Sequence, residues 1–458
     1  MGGVIGPGSG PSDAIGGGRS WEDRYLLLLL VLLAGYAAIG KGFAYIGYPP
    51  LFIGEIVLLC GTVIFIRMNL AFACVTTLPA IVLAVMMAWT LARTLPFVAS
   101  YGFDAPRDSV LIMYGAFSFI VIALLLHDGR RLGSILDIYR RFLVVFLPVL
   151  PILFFLSQYA KDWPPDIPGT EVRSILIGAG EAPVHLAGAA VFAMVGFYRP
   201  SMLALVGLVS TLLMASSLNR GGMLAFLIPV LGATILLGKF RALAMVIVGG
   251  LALFAVAYTA ERVLTDPLET AGQTVRQVRP SQFVANIQSI AGQHTDEKLE
   301  GSRRWRLQWW DIILDDTIRG GPHFWNGRGY GLNLAVADGY GGGRTAHPLR
   351  SPHNVHMTIL ARAGVTGLAL WLLFLVVWFG TMGAAYLHAR LSGEQTWAGL
   401  FLFIACYTGA SLINATFDVA LEGPMQGIWF WCLVGFGIGS VMIFRFTRIQ
   451  PLLRGRSL

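Results

Sequence analysis

The strongest constraint in the sequence is a succession of apolar runs of about 20 residues, the length an α-helix needs to cross the roughly 30 Å hydrocarbon layer of a bilayer. They lie near residues 25–43, 50–66, 70–92, 109–127, 142–159, 182–198, 201–219, 221–238, 242–260, 355–388, 397–420 and 426–446, about twelve in all. Lipid offers no partner to a bare backbone, so segments of this kind are expected to be helices. With 56% hydrophobic and only 13% charged residues over 458 positions, the chain is too apolar for a soluble protein. The expected fold class is an all-α polytopic membrane protein, with about twelve transmembrane helices and one large loop on the outer side between spans nine and ten.

The net charge of +8 does not point to nucleic acid, because no basic module interleaved with aromatics is present. In a membrane protein Lys and Arg gather on cytoplasmic loops instead. A cytoplasmic amino terminus puts Arg67, Arg130, Arg131, Arg140, Arg141, Arg199, Lys239, Arg241, Arg390 and Arg445 inside. Lys41, Arg93, Arg107, Lys161 and Arg173 then lie at or near the outer face. The resulting division is a flexible cytoplasmic tail over 1–24, spans one to nine over 25–260 and a periplasmic loop over 261–352. Spans ten to twelve over 353–448 and a basic cytoplasmic tail over 449–458 complete it. The first eighteen residues carry no Lys or Arg and no apolar core, which excludes a signal peptide there. Cys60, Cys74, Cys406 and Cys432 all fall inside apolar runs without paired spacing and read as free thiols.

The loop changes character along its length. Residues 265–301 are polar and without period, whereas SRRWRLQWWDIILDD sets Trp305, Trp309 and Trp310 among Arg303, Arg304 and Arg306. That pattern suits an amphipathic helix on the outer membrane surface, its indoles at headgroup level. Arg306 and Trp310, four apart, share a face. Gly327, Gly329 and Gly331 follow in alternation; a tight backbone turn explains them better than a phosphate cradle outside the cell. His347, His353 and His356 have no metal-ligand spacing and no carboxylate beside them, so no metal or other cofactor is expected.

Several polar residues stand close to the membrane. Arg220, in SSLNRGG, occupies the tight outer turn between spans seven and eight, where it is either functional or snorkelling to headgroups. Glu55, a turn or two inside span two, reads as interfacial. His353 and Asn354 stand where the loop runs back into an apolar helix, followed by Gly364 and Gly367, and the titratable His353 marks the expected reaction centre. Arg350 approaches from the loop. Several arginines and a histidine at a membrane surface suit a substrate with phosphate in the headgroup plane, because the guanidinium fork matches phosphate oxygens.

Taken together, these motifs resemble the O-antigen ligase and O-antigen polymerase superfamily of bacterial lipid-linked glycan transferases. His353-Asn354 with Gly364 and Gly367 is similar to the family's His-Asn signature at the end of its long periplasmic loop. Ser216 and Ser217 before Arg220-Gly221 resemble its Ser-x-x-x-Arg-Gly turn. Arg306 with Trp310, then Pro322 and the alternating glycines, resembles its Arg-x-x-x-Trp helix and Gly-rich turn. One position departs: Arg362 stands where family members often carry an acid, so a salt bridge made there is absent or reversed.

The resemblance implies a multi-pass enzyme of the bacterial inner membrane, with a periplasmic site, that moves a glycan from an undecaprenyl diphosphate carrier to a lipid or glycan acceptor hydroxyl without metal or nucleotide. Carried over, it makes Arg220 and Arg306 ligands of the diphosphate and His353 the general base, with inversion at the sugar. Arg303, Arg304, Arg350 and Asn354 become substrate-binding candidates, and any of Arg303, Arg304 and Arg306 can be the diphosphate ligand. The chemistry agrees: a diphosphate leaves readily once its charge is stabilised, while the acceptor hydroxyl needs a base, and imidazole has an unperturbed pKa of about 6.5. A ligase onto a lipid A core or other surface acceptor is the leading expectation; a polysaccharide repeat-unit polymerase shares the signature. A polysaccharide or lipid transporter is the reading from another class, and it would place ionisable groups at the bilayer midplane, where these runs are nearly free of charge.

Overall fold

In the computed structural model the described residues are 20–160, 163–264, 286, 297–341 and 349–454. Most of the expected amino-terminal tail, residues 265–285 and 287–296, and His347 lie outside them. Helices longer than one turn are numbered here in chain order. They are α1 (Trp21–Ile39), α2 (Ile53–Met68), α3 (Leu78–Tyr101), α4 (Asp104–Met113), α5 (Ala116–His127), α6 (Arg131–Gln158), α7 (Glu181–Met194) and α8 (Met202–Leu218). There follow α9 (Arg220–Leu237), α10 (Phe240–Leu264), α11 (Glu297–Thr317), α12 (Val355–Leu391), α13 (Gln395–Phe417) and α14 (Pro424–Arg454). A two-residue hairpin, Gly47–Tyr48 against Leu51–Phe52, is the exception to an all-α fold among these residues.

Among the described residues six helices are long and apolar enough to cross a membrane: α3, α6, α9, α12, α13 and α14 as far as Thr447. The pair α4–α5, bent by 41°, makes a seventh if it counts as one span. The chain is therefore a multi-pass helical membrane protein. The expected spans near 50–66, 182–198 and 201–219 are helices of 16, 14 and 17 residues. At 1.5 Å per residue they reach roughly 21 to 26 Å, short of about 30 Å of hydrocarbon. The run expected from residue 70 is divided: a single helical turn covers Ala71–Cys74, and the long helix α3 starts at Leu78 with Pro79 in its first turn.

The core forms around α14, whose apolar window is 89% buried. Inside a membrane its indole N–H groups need partners, and they find helix carbonyls: Trp429 donates to Leu33 at 2.8 Å and Trp431 to Leu111 at 2.9 Å. Trp378 of α12 in turn donates to Val434 at 3.2 Å. Close approach comes from small residues, since a Cβ on Gly435 would stand 2.4 Å from the Ser118 carbonyl oxygen of α5. Glu55 is absorbed locally: it accepts the Phe52 amide at the start of α2 and the Tyr114 hydroxyl. The four cysteines are free, Cys60 exposed and Cys74 and Cys432 buried.

The feature that positions the site is a break in α12. Gly364 has φ 69° and ψ −170°, which separates a short leading segment, Val355 to Ala363, from the apolar remainder. Breaking a helix frees carbonyls and amides that must be satisfied. Here the Arg328 and Gly329 amides donate to Ala361 and Arg362 at 2.8 and 2.9 Å, the Trp89 indole to Ala363 at 3.3 Å, and the Val365 amide to Phe324 at 2.7 Å. The alternating glycines thus form the expected backbone turn, all three at positive φ, with amides of the turn spent on α12. A Cβ on Gly327 would stand 2.4 Å from the Arg362 backbone and one on Gly329 2.1 Å from the Phe97 ring.

Candidate active site

The antiparallel pair α12–α13 returns the chain so that the start of α12 and the end of α13 share one end of the bundle. Phe417 closes α13, Asp418 follows in extended conformation, and a 3-10 turn over Ala420–Glu422 leads to α14. Two further elements meet at Phe417. The first turn of α9 packs there because Gly221 lacks a side chain; its Cβ would stand 2.7 Å from Cβ of Phe417. Arg220, half-buried, is the first residue of that helix, which Asn219 caps by accepting the Gly222 amide at 3.0 Å. Asn286 closes the end of α8 by donating to the Ser216 and Ser217 carbonyls, each at 2.8 Å. From α11, Nη1 of Arg306 donates to the Phe417 carbonyl at 2.9 Å while its guanidinium lies 5.5 Å over the Trp305 ring.

His353 comes to the same place. Its backbone is left-handed, φ 53°, a conformation uncommon for non-glycine residues and enriched where function fixes a side chain. Nδ1 lies 3.4 Å from Oδ1 of Asp418, and the ring meets Trp305 edge-on at 5.7 Å. Nδ1 faces the carboxylate at that distance without forming a hydrogen bond to it. Burial acts to raise Asp418, but His353, the Val419 amide and Arg306 together hold its carboxyl below the ordinary range. Glu422 shows the opposite balance: burial raises it against Arg362, Ser351, Thr358 and His353, and Thr358 donates to it at 2.9 Å. Burial, with Asp418 adding to it, also pushes Glu181 at the start of α7 up to about 7.

The other expected residues have other partners. Asn354 caps α12, its side-chain oxygen accepting the His356 and Met357 amides at 2.8 and 3.1 Å. Arg303 and Arg304 are exposed, so of the three arginines it is Arg306 that reaches Phe417. Arg350 turns to Asp108 at 3.1 Å and Asp104 at 3.4 Å. His356 faces into the bundle, accepting the Trp371 indole at 3.1 Å. The indoles expected at headgroup level are spent inside the protein. Trp309 is fully buried with Ile313, Leu334, Ala335, Leu360 and Ala361, and Trp310 donates to the Pro352 carbonyl at 2.9 Å. Arg362 pairs with Asp108 at 3.0 Å.

Asp418, Glu422 and Asp108 escaped the sequence reading. A signal existed for the first two, because they are the only acids after Glu394 and stand together between two apolar runs. Asp108 gave none, since its partners lie far along the chain.

An all-α bundle of apolar helices with arginines, a histidine and a carboxylate gathered at one end defines a membrane-embedded protein with a polar, cationic site. Residues 203–372 match the family described as O-antigen ligase, and this match supports the O-antigen ligase superfamily. The match supports a ligase- or polymerase-type function on lipid-linked glycans. A comparison with curated proteins finds no match.

Proposed function

We propose that the chain is an O-antigen ligase-type glycosyltransferase of the bacterial inner membrane, acting at its periplasmic face. The segment between α10 and α12 then faces the periplasm, and the donor is a glycan on undecaprenyl diphosphate. The observation that supports the reading is the meeting of Arg306, the start of α9 at Arg220 and His353 around Phe417–Asp418.

In this scheme Arg220 and Arg306 hold the diphosphate and stabilise the charge it gains. The acceptor oxygen attacks the anomeric carbon, the bond to the diphosphate oxygen breaks, and the electron pair leaves with the diphosphate. The hydroxyl proton passes to Nε2 of His353, and Asp418 offsets the imidazolium charge through Nδ1. Attack opposite the leaving group inverts the sugar.

The acceptor is a lipid A core or comparable surface hydroxyl in the leading form; a growing polysaccharide is the acceptor in the polymerase form. A deletion strain separates them. Loss of a ligase leaves long carrier-linked chains, whereas loss of a polymerase leaves single repeats. Transfer by the purified protein from a polyprenyl-diphosphate-linked glycan tests the class, and its absence with every acceptor offered, together with vesicle transport of that lipid, favours the transporter.

A further inference from the structure

His353 is held in a left-handed turn that a single residue does not maintain by itself, so the surrounding structure must impose it. The segment carrying it is gripped on both flanks by one carboxylate oxygen. Oδ2 of Asp108, on α4, accepts from Arg350 before His353 at 3.1 Å and from Arg362 after it at 3.0 Å. The same oxygen takes the Gly331 amide at 3.2 Å. The two guanidiniums also bond the backbone of the Gly-rich turn, Arg350 to the Gly331 carbonyl and Arg362 to the Leu332 carbonyl, each at 3.2 Å. Asp108 and Arg362 are almost wholly enclosed, with side chains 8% and 2% exposed. A buried arginine needs a compensating charge, and breaking such a pair costs far more than an exposed one. Arg107, which reaches Oδ1 at 3.3 Å, is more exposed and bonds Asp104 as well. Glu422 is the other acid whose charge Arg362 feels.

We infer that Asp108 is a positioning residue for the reaction at His353, and that Arg350 serves it as a clamp on Asp108 and not as a ligand of the donor's diphosphate. The inference rests on the proposed transferase reading. It follows from the shared oxygen: with both flanking arginines fixed to it, the His353 turn is registered against α4, and through Gly331 against the turn that seals the break in α12. Losing Asp108 removes the one acceptor that the two flanks share, leaving Arg350 to Asp104 and the Gly331 carbonyl and Arg362 to the Leu332 carbonyl.

The test is steady-state transfer by the detergent-purified full chain, with a short glycan on polyprenyl diphosphate as donor and a hydroxyl acceptor at saturation. Asp108→Asn and Arg350→Gln are each expected to lower kcat by about tenfold to a hundredfold with donor KM nearly unchanged, the result of a displaced base. Asp108→Glu, which keeps the charge, is expected to recover most of the turnover. If Asp108→Asn is lost on extraction, Arg350→Gln at the more exposed partner still gives the kcat-against-KM split. A raised donor KM with kcat intact in Arg350→Gln overturns the clamp in favour of a diphosphate ligand. Wild-type kinetics in both variants also overturn it. Two controls run alongside separate the failures: if His353→Ala is dead while these two variants are normal, only the positioning role fails, and if the wild-type protein transfers to none of the acceptors offered, the transferase reading itself fails.

Discussion

Nδ1 of His353 and Oδ1 of Asp418 lie 3.4 Å apart, one just before α12 and the other just after α13. An antiparallel helical hairpin returns to its starting end, which is why residues so distant in sequence face each other. The pair gives the proposed base an orienting carboxylate. Asp418→Asn keeps the shape and removes the charge, and turnover is expected to fall by about a hundredfold or more with donor KM little changed. Steady-state kinetics of the purified variant check this.

Because its neighbours hold Asp418 below the usual carboxylate range, its ionic contribution is present above the ordinary carboxylate pKa and is lost as pH falls through the lower folded value. Thermal unfolding should therefore separate wild type from Asp418→Asn at neutral pH and bring them together in strong acid.

Glu181 carries the opposite sign. Its folded value of about 7 exceeds the ordinary carboxyl value, so its stabilising share is complete below the ordinary value and is lost as pH rises through about 7. Glu181→Gln is expected to be more stable than wild type at pH 8, by on the order of 3 kcal/mol, and equal to it at low pH. Melting curves at both pH values decide it.

Among the arginines of α11, geometry distinguishes one. Arg306→Lys replaces a fork by a point charge beside Phe417 and should lower kcat/KM by about tenfold to a hundredfold. Arg303→Lys and Arg304→Lys, on exposed positions, should change it by less than about twofold. The three variants in one assay give the comparison.

The break in α12 makes a prediction about folding. Gly364 has φ 69° and its Cβ would stand 2.5 Å from the Trp325 backbone. Gly364→Ala should cost about 3 kcal/mol or more and reduce the yield of monodisperse protein from detergent. Gly380→Ala on the same helix, where nothing lies within 4 Å, is the control and should extract normally.

The apolar runs made the fold class legible, because hydrocarbon permits few alternatives to helices. Span lengths were not legible, since a run such as 182–198 contains an apolar stretch whose helix already ends at Met194. Within the site, Arg220, Arg306 and His353 were readable as polar residues beside membrane, and Arg306 stood apart from Arg303 and Arg304 only once its carbonyl partner was seen. For Asn354 the sequence does not distinguish a helix cap from a substrate ligand, because N-capping and ligand binding use the same side chain. Arg350 and Arg362 were opaque for a different reason: their charge is answered by Asp108, whose proximity depends on the packing of α4 against the Gly-rich turn. The tryptophans of α11 had the composition of a membrane-surface helix, but the single turn Leu334–Ala337 covers Trp309.

The central claim is that His353 takes the acceptor's proton. Single-turnover transfer by purified His353→Ala, with donor bound to saturation and its fold checked by melting temperature, tests it most directly. The account predicts donor binding close to wild type and a transfer rate lower by about a thousandfold or more. Transfer at the wild-type rate would contradict it.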